Sequence, residues 1–361
     1  METKDILLFF LIFFAICSIF SILINGLFLR FAKSLGIRNH KDNDTIVRWG
    51  NTSKPAFGGI SFYILFLLSF SVYSIFFDIT LDKQLLGILI ASSVGFLVGL
   101  ADDAYNTKPL LKLAGQIIAA VVLVLTDNII YLFDNDVFNI ALTLFWIIGM
   151  MNSINMLDNM DAITTSVSLG IVSSAMFIIL LQENYTSVYL VILAGVSAGL
   201  LGFLYYNWNP SKMYMGDTGS QFLGVFLAAI GIKFFWNFQD MNGEVVFTKQ
   251  ALTAILIFII PIIDTTTVTI NRLKRGQSPM VGGRDHTTHN LSYLGFTDRH
   301  VALLFIFLSL ISLGIVIYIY NYVTKWTFVH IISISTYCIS LFAIMFYISR
   351  KFEYKQSKNL K

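Results

Sequence analysis

The stretch Asn155-Met-Leu-Asp158-Asn159-Met-Asp161 sets two carboxylates and two carboxamides directly after an apolar run, Val137 to Met151. Such groups at the mouth of a membrane helix are costly unless something polar binds there. Asp102-Asp103 end another apolar run, where two adjacent anions meet the negative end of a helix dipole. A divalent cation or a nearby lysine would relieve them; Lys108 and Lys112 follow closely, and Lys112 could face a phosphate. Asp158 shares the adverse position. Asp161 and Asp217 instead precede apolar runs, so each reads equally as an ordinary N-cap. A helix N-terminus also suits a phosphate or a metal–phosphate complex. Asp264, in Pro261-Ile-Ile-Asp264, lies about 12 Å inside the membrane from Arg272 at about 1.5 Å per residue. It is a functional group there or a structural partner for helix ends opened by Pro261.

A basic set complements these acids. Arg284, His286 and His289 lie in Gly282-Gly283-Arg284-Asp285-His286-Thr287-Thr288-His289. The two histidines lack a nearby Cys or Glu to complete a zinc set. With Arg284 they read as a cationic clamp for phosphates or a sugar, against the plainer reading of a solvated basic loop. Asp217-Thr218-Gly219 spells the aspartic-protease triplet, but three letters outside a soluble β fold carry little weight. No Walker loop and no Gly-x-Gly-x-x-Gly occurs.

The elements that must position these residues are membrane helices. The chain has 361 residues, 56% hydrophobic and 12% charged, with a mean hydropathy of +0.75. Soluble domains are about 25% charged. A span needs about 20 mostly apolar residues. Eleven are expected: 6–28, 57–77, 84–101, 110–126, 137–156, 162–181, 187–206, 219–236, 250–271, 301–322 and 326–349. The fold class is all-α and polytopic, one transmembrane domain over 1–361, and the first segment reads as a retained span. Cys17 and Cys338 sit inside apolar runs and form no expected disulfide. Odd-numbered loops and the C-terminal tail hold 18 of the 24 Lys and Arg residues, and Lys112 opens the span that follows the third loop. The positive-inside rule then places the N-terminus outside and the C-terminus in the cytoplasm. Every polar motif above falls on the cytoplasmic side; the outer loops (Asp127, Asp134, Asp136, Glu183, Asp240, Glu244) carry no constellation. Lys233 lies near an outer end, where it can snorkel.

At these residues the chain resembles the polyprenyl-phosphate N-acetylhexosamine-1-phosphate transferases. The pieces are Pro55-Ala-Phe-Gly58-Gly59, Asp102-Asp103 with Lys112 and Gln116, Asn155 to Asp161, Asn207-Trp-Asn-Pro210 leading to Met215-Gly216-Asp217, Pro261-x-x-Asp264, and Arg284 to His289. Two features depart from the family pattern. Asn159 and Ala162 stand where glycines are usual, Asn159 being able to keep a left-handed turn. Thr288 stands where a third histidine is usual.

The resemblance implies a reaction. A UDP-N-acetylhexosamine and a polyprenyl phosphate would give a polyprenyl-diphosphate-sugar and UMP, the first membrane step of a cell-envelope glycan (cell wall or lipopolysaccharide). It implies Mg²⁺, or Mn²⁺ in its place, with Asp217 as the leading ligand. Asp102 or Asp103 would bind or deprotonate the lipid phosphate, and Lys112 would hold it. Asn155, Asp158, Asp161 and Asn207 would form the nucleotide site, with Asp264 beside it. Arg284, His286 and His289 would meet the diphosphate or sugar. The implied setting is the bacterial cytoplasmic membrane, with a homodimer expected and no nucleic-acid partner. Phospho-MurNAc-pentapeptide transfer is the runner-up. A transporter, the rival class, would place its binding groups near the midplane and often in repeated halves.

Overall fold

The computed structural model describes residues 3–34, 54–77, 82–239, 243, 245–279 and 282–359. Arg38, Lys41 and Arg48 of the basic first loop, and Asp240 and Glu244, lie outside the described residues. The helices are α1 (Thr3–Ser34), α2 (Gly58–Phe76), α3 (Lys83–Tyr105), α4 (Pro109–Leu125), α5 (Asp136–Leu157), α6 (Ile163–Leu181) and α7 (Val188–Asn207). They continue with α8 (Gly216–Gly231), α9 (Phe247–Ile257), α10 (Ile259–Lys274), α11 (Thr287–Tyr293), α12 (Asp298–Tyr322) and α13 (Phe328–Asn359). Nine are long and apolar enough to cross a membrane among the described residues. The bent pair α9–α10 stands at a tenth expected span, and the eleventh, 110–126, is α4, an apolar helix of 17 residues that falls short of these. The protein is an all-helical, multi-pass membrane protein.

Local signals set the ends. Asp82 caps α3 by accepting from Leu85 N at 2.6 Å, and Pro109 opens α4 where its missing N–H costs nothing. Asn106, at φ 49°, ends α3 in the left-handed region. One expectation fails: the ninth span is not straight. It breaks at Phe258, and the two halves diverge by 79°. Pro261 sits in the first turn of α10, where it needs no donor. Its carbonyl accepts the Ser153 hydroxyl at 2.7 Å, and Thr265 Oγ1 donates to Ser153 Oγ at 2.7 Å. The break is therefore tied to α5; Asp264 and Arg272 both lie beyond it, on the one helix α10.

The centre of the molecule is α8, continued by the π-helical turn Ile232–Trp236. Apolar around most of its circumference, it is buried at every residue from Thr218 to Gly231 and packs on α3, α5 and α2. Helices approach closely in membranes where side chains are small. A Cβ on Gly59 would lie 2.2 Å from Gly219 N, and one on Gly99 would lie 2.1 Å from Asp217 O. These contacts bring α2 and α3 directly onto the first turn of α8. Gly58 N and Gly59 N also donate to Tyr214 O and Met215 O, so the start of α2 holds the segment entering α8.

The connections sort into two ends, as the loop charges indicate. The segments after α3, α5, α7 and α10 meet through side-chain bonds described below. At the opposite end Lys83 pairs with Asp127 at 3.1 Å, Trp326 Nε1 donates to Thr248, and Lys233 Nζ donates to Gln84 Oε1 at 2.7 Å.

Candidate active site

Two carboxylates at the C-terminal end of α3 face different partners. Asp103 reaches across to α8: its Oδ1 accepts Asp217 N at 2.9 Å, and its Oδ2 accepts Thr218 N at 2.8 Å and Thr218 Oγ1 at 2.6 Å. It thus caps a helix on which it does not reside. The adverse dipole of α3 is answered by the positive end of α8. Asp102 takes Thr107 N and Oγ1 on one oxygen and Lys112 Nζ, at 2.9 Å, on the other.

Lys112 is the hub. Its ammonium lies 2.9 Å from Asp102 Oδ2, 3.2 Å from Asp217 Oδ2 and 3.2 Å from Asn155 Oδ1. Asn155 Nδ2 completes the ring by donating to Asp217 Oδ1 at 2.5 Å and to Ser220 Oγ at 2.8 Å. Asp217 is therefore not a cap for its own helix, as its position suggested. Its N–H is capped by Asp103, which frees its carboxylate to face Lys112. A second polar layer lies one turn deeper. Gln116, four residues after Lys112, donates to Gln221 Oε1 at 3.0 Å and accepts from Asn152 Nδ2 at 2.9 Å. Gln221 follows Asp217 by four, and Asn152 precedes Asn155 by three. Each of α4, α5 and α8 thus supplies one residue to each layer. Asn152 and Gln221 were not expected, since each sits in a different apolar run.

Asp158 ends α5 and accepts no hydrogen bond among the described residues. Burial, then the charges of Asp217, Asp103 and Asp161, push its carboxyl up to about 8. Asp161 does not cap α6. Its oxygens accept Ser211 N at 2.9 Å, Ser211 Oγ at 2.6 Å and Asn209 Nδ2 at 3.1 Å, binding the α7–α8 segment. Buried Asn207 ties the same regions, accepting Ala162 N and Thr165 Oγ1 and donating to Met213 O. Ala162, not Asn159, takes the left-handed conformation, at φ 66°.

The basic set docks onto this group. Asp264 is fully buried. Its Oδ1 accepts Thr287 N at 2.8 Å and Thr287 Oγ1 at 2.6 Å, and its Oδ2 meets His286 Nδ1 at 2.8 Å. It holds the start of α11 rather than helix ends opened by Pro261. Asp285 takes a bidentate Arg272 at 2.7 and 3.0 Å together with Arg275, and these guanidiniums hold its carboxyl down at about 2 against the pull of burial. Arg284 is exposed. Burial, then the charge of His286, pushes His289 down to about 4. His289 is thus neutral near pH 7, and only part of the expected clamp is cationic. Two of the three positions that depart from the family pattern touch: Thr288 Oγ1 donates to Asn159 Oδ1 at 2.6 Å.

The structure thus gathers Asp102, Asp103, Lys112, Asn155 and Asp217 into one ring-like group. It sets Asp158 near their charges and joins Asp264, His286 and His289 to it through Asn159. Asp161 and Asn207 serve the supporting loops. Among the described residues no three His, Cys, Asp or Glu side chains stand close enough to enclose a metal. Mg²⁺ does not need such a cage: it takes one or two carboxylates, keeps waters and uses substrate phosphates. Asp158, with no hydrogen bond and surrounded by anions, and Asp217 fit that pattern.

Fold and site together define a multi-pass membrane protein whose charged chemistry is concentrated at one membrane end. Comparison with known proteins sharpens the class. A family model described as glycosyl transferase family 4 matches residues 85–235. The chain is 26% identical over 273 residues to a probable undecaprenyl-phosphate N-acetylglucosaminyl 1-phosphate transferase of Bacillus subtilis, covering 72% of this chain and 70% of that protein. It is 25% identical over 288 residues to a decaprenyl-phosphate N-acetylglucosaminephosphotransferase of Mycolicibacterium smegmatis, covering 72% and 70%. It is 30% identical over 242 residues to a phospho-N-acetylmuramoyl-pentapeptide-transferase of Staphylococcus epidermidis, covering 60% and 69%. The chain belongs to this family, the polyprenyl-phosphate hexosamine-1-phosphate transferases.

Proposed function

We propose that the chain transfers GlcNAc-1-phosphate from UDP-GlcNAc to undecaprenyl phosphate and releases UMP. One observation carries the reading: Lys112 sits between Asp102 and Asp217 at a membrane end, offering a cation to a phosphate among groups that tolerate a second cation. A lipid-phosphate oxygen attacks the sugar-bearing phosphorus of the donor. The bond from that phosphorus to the bridging oxygen breaks, and the electron pair leaves with UMP. Phosphate monoesters have a second pKa near 6, so the nucleophile is largely unprotonated at neutral pH and positioning outweighs proton removal.

Lys112 holds the lipid phosphate, with Asp102 fixing the ammonium through its Oδ2. Asp103 aims the first turn of α8 and so sets Asp217. Asp217 and Asp158 would hold Mg²⁺, with Mn²⁺ accepted by the same oxygens. When bound, the metal neutralises charge on the diphosphate and on departing UMP. Asn155 orients Asp217; Arg284, His286 and neutral His289 meet the sugar diphosphate. Asp161, Asn207 and Asp264 shape this pocket from behind, through Ser211, Ala162 and Thr287. Loop charge supports a cytoplasmic site in the bacterial inner membrane, N-terminus outside. A homodimer is proposed on the family resemblance alone.

The test is UMP release by the purified protein with undecaprenyl phosphate, Mg²⁺ and each UDP-sugar, against Asp217→Asn. Mg²⁺-dependent release from UDP-GlcNAc, lost in the variant, is expected. The similarity to a pentapeptide-transferase keeps a second donor in view. Release only from UDP-MurNAc-pentapeptide would retain the reaction and move the pathway to peptidoglycan. No release by folded protein would sink the reading.

A further inference from the structure

The bond between Asn159 and Thr288 joins segments 129 residues apart. Thr288 is fully buried between Thr287, which binds Asp264, and His289. Asn159 is held at both ends of its carboxamide: Nδ2 donates to Met156 O at 2.8 Å, and Oδ1 accepts from Thr288 at 2.6 Å. Its own N–H donates to Leu157 O at 2.8 Å. Asp158 stands between these anchors. Its carboxylate has no hydrogen bond of its own among the described residues, so its placement is inherited from the backbone that Asn159 fixes. On the other side of the bond, α11 carries His289 and is preceded by His286 as its N-cap residue, with Asp264 beneath.

We propose that Asn159 and Thr288 form a clasp that fixes Asp158 at a set separation from His286 and His289, and so positions the sugar nucleotide. The proposal rests on the transferase reading above. Neither residue touches the reacting atoms; both act through their neighbours. The Thr288 methyl fills space, whereas the hydroxyl alone makes the bond, so the two can be separated. Thr288→Val keeps the shape and removes the donor, leaving Asn159 Oδ1 without it. Thr288→Ser keeps the donor. Loss of the clasp lets two halves of one site drift, and misplacement by 1 Å can cost about 100-fold.

The experiment measures steady-state UMP release with UDP-GlcNAc, undecaprenyl phosphate and Mg²⁺. It compares wild type, Thr288→Val, Thr288→Ser, Asn159→Ala and the double variant Asn159→Ala/Thr288→Val. Thr288→Val and Asn159→Ala should each raise KM for the sugar nucleotide about tenfold with a smaller change in kcat. Thr288→Ser should restore wild-type KM, and the double variant should be no worse than either single one. An unchanged KM in Thr288→Val, or multiplicative effects in the double variant, would overturn the clasp. Hydrogen exchange over 286–293 gives an activity-independent reading: faster exchange in Thr288→Val supports the clasp, and unchanged protection overturns it. Should the wild type release no UMP, the transferase reading fails, and the exchange comparison still decides whether the bond holds α11.

Discussion

A single ammonium carries most of the electrostatic burden at the site. Lys112 is one-sixth exposed, at 16%, and compensates Asp102 and Asp217 together. Lys112→Met leaves two carboxylates facing each other without a counter-charge. The expected cost is about 3 kcal/mol in stability, read by thermal denaturation, with transfer falling at least 100-fold. Ala162 presents the opposite case. Its φ of 66° costs a non-glycine residue about 1–2 kcal/mol, so Ala162→Gly should stabilise the fold by about 1 kcal/mol and leave activity near wild type. Asp285 tests the Arg272–Arg275 pairing by pH. Its folded-state value, about 2, is below that of the unfolded chain, so its contribution is present above about pH 4 and is lost as pH falls toward 2. Asp285→Asn should therefore lower the melting temperature at pH 7 and converge with wild type near pH 2. At this scale the acids were legible and their division of labour was not. Asp103 as a cap for α8, and Asp161 as a holder of Ser211, depend on which helices lie side by side, and no spacing within one segment encodes that.

Helices that meet without side chains between them set the site's tolerances. Gly99 and Gly59 press backbone against the first turn of α8, next to the residue assigned to the metal. Gly99→Ala would drive a methyl to about 2.1 Å from Asp217 O. The helices must part, at a cost of about 1–3 kcal/mol by analogy with overpacked cores. Transfer should drop about tenfold or more, because Asp217 moves with the backbone. A variant with full activity and wild-type melting would show that the contact has slack. Hydropathy placed nine spans because membrane spans are long and uniform, whereas α4 is a shorter apolar helix and the ninth expected span is a bent pair. The break at Phe258 escaped it: both halves are apolar, and Pro261 sits where a helix may begin as easily as where one bends. The seven-residue α11 escaped too, being too short for any periodicity.

Across the whole molecule, the alternation of basic loops leads to the expectation that the connections after α3, α5, α7 and α10 lie on one side. Among those connections Thr288 meets Asn159, and Asp161 meets Ser211. Which end faces the cytoplasm is open to direct test. Both native cysteines are buried, so single introduced thiols can be read cleanly. Lys325→Cys, at an exposed position, should react with an impermeant maleimide on intact cells, and Lys108→Cys only after permeabilisation. The reverse pattern would invert the topology.

Beneath Lys112 and Asp217 the polar character around α8 fades in order: charged groups, then the neutral carboxamides of Gln116 on α4, Asn152 on α5 and Gln221 on α8, then the fully buried apolar run Phe222 to Ile230. A living membrane sustains a voltage, and a unit charge crossing 100 mV exchanges about 2.3 kcal/mol with it. A site that collects cations and anions at one face invites leakage down that gradient. The graded floor insulates it: an ion can be handled at the rim, hydrogen-bonded but not accommodated one turn below, and stopped entirely a turn beyond. The central helix is thus a dielectric stopper as well as a scaffold, which lets the protein do ionic chemistry in a bilayer without becoming a channel.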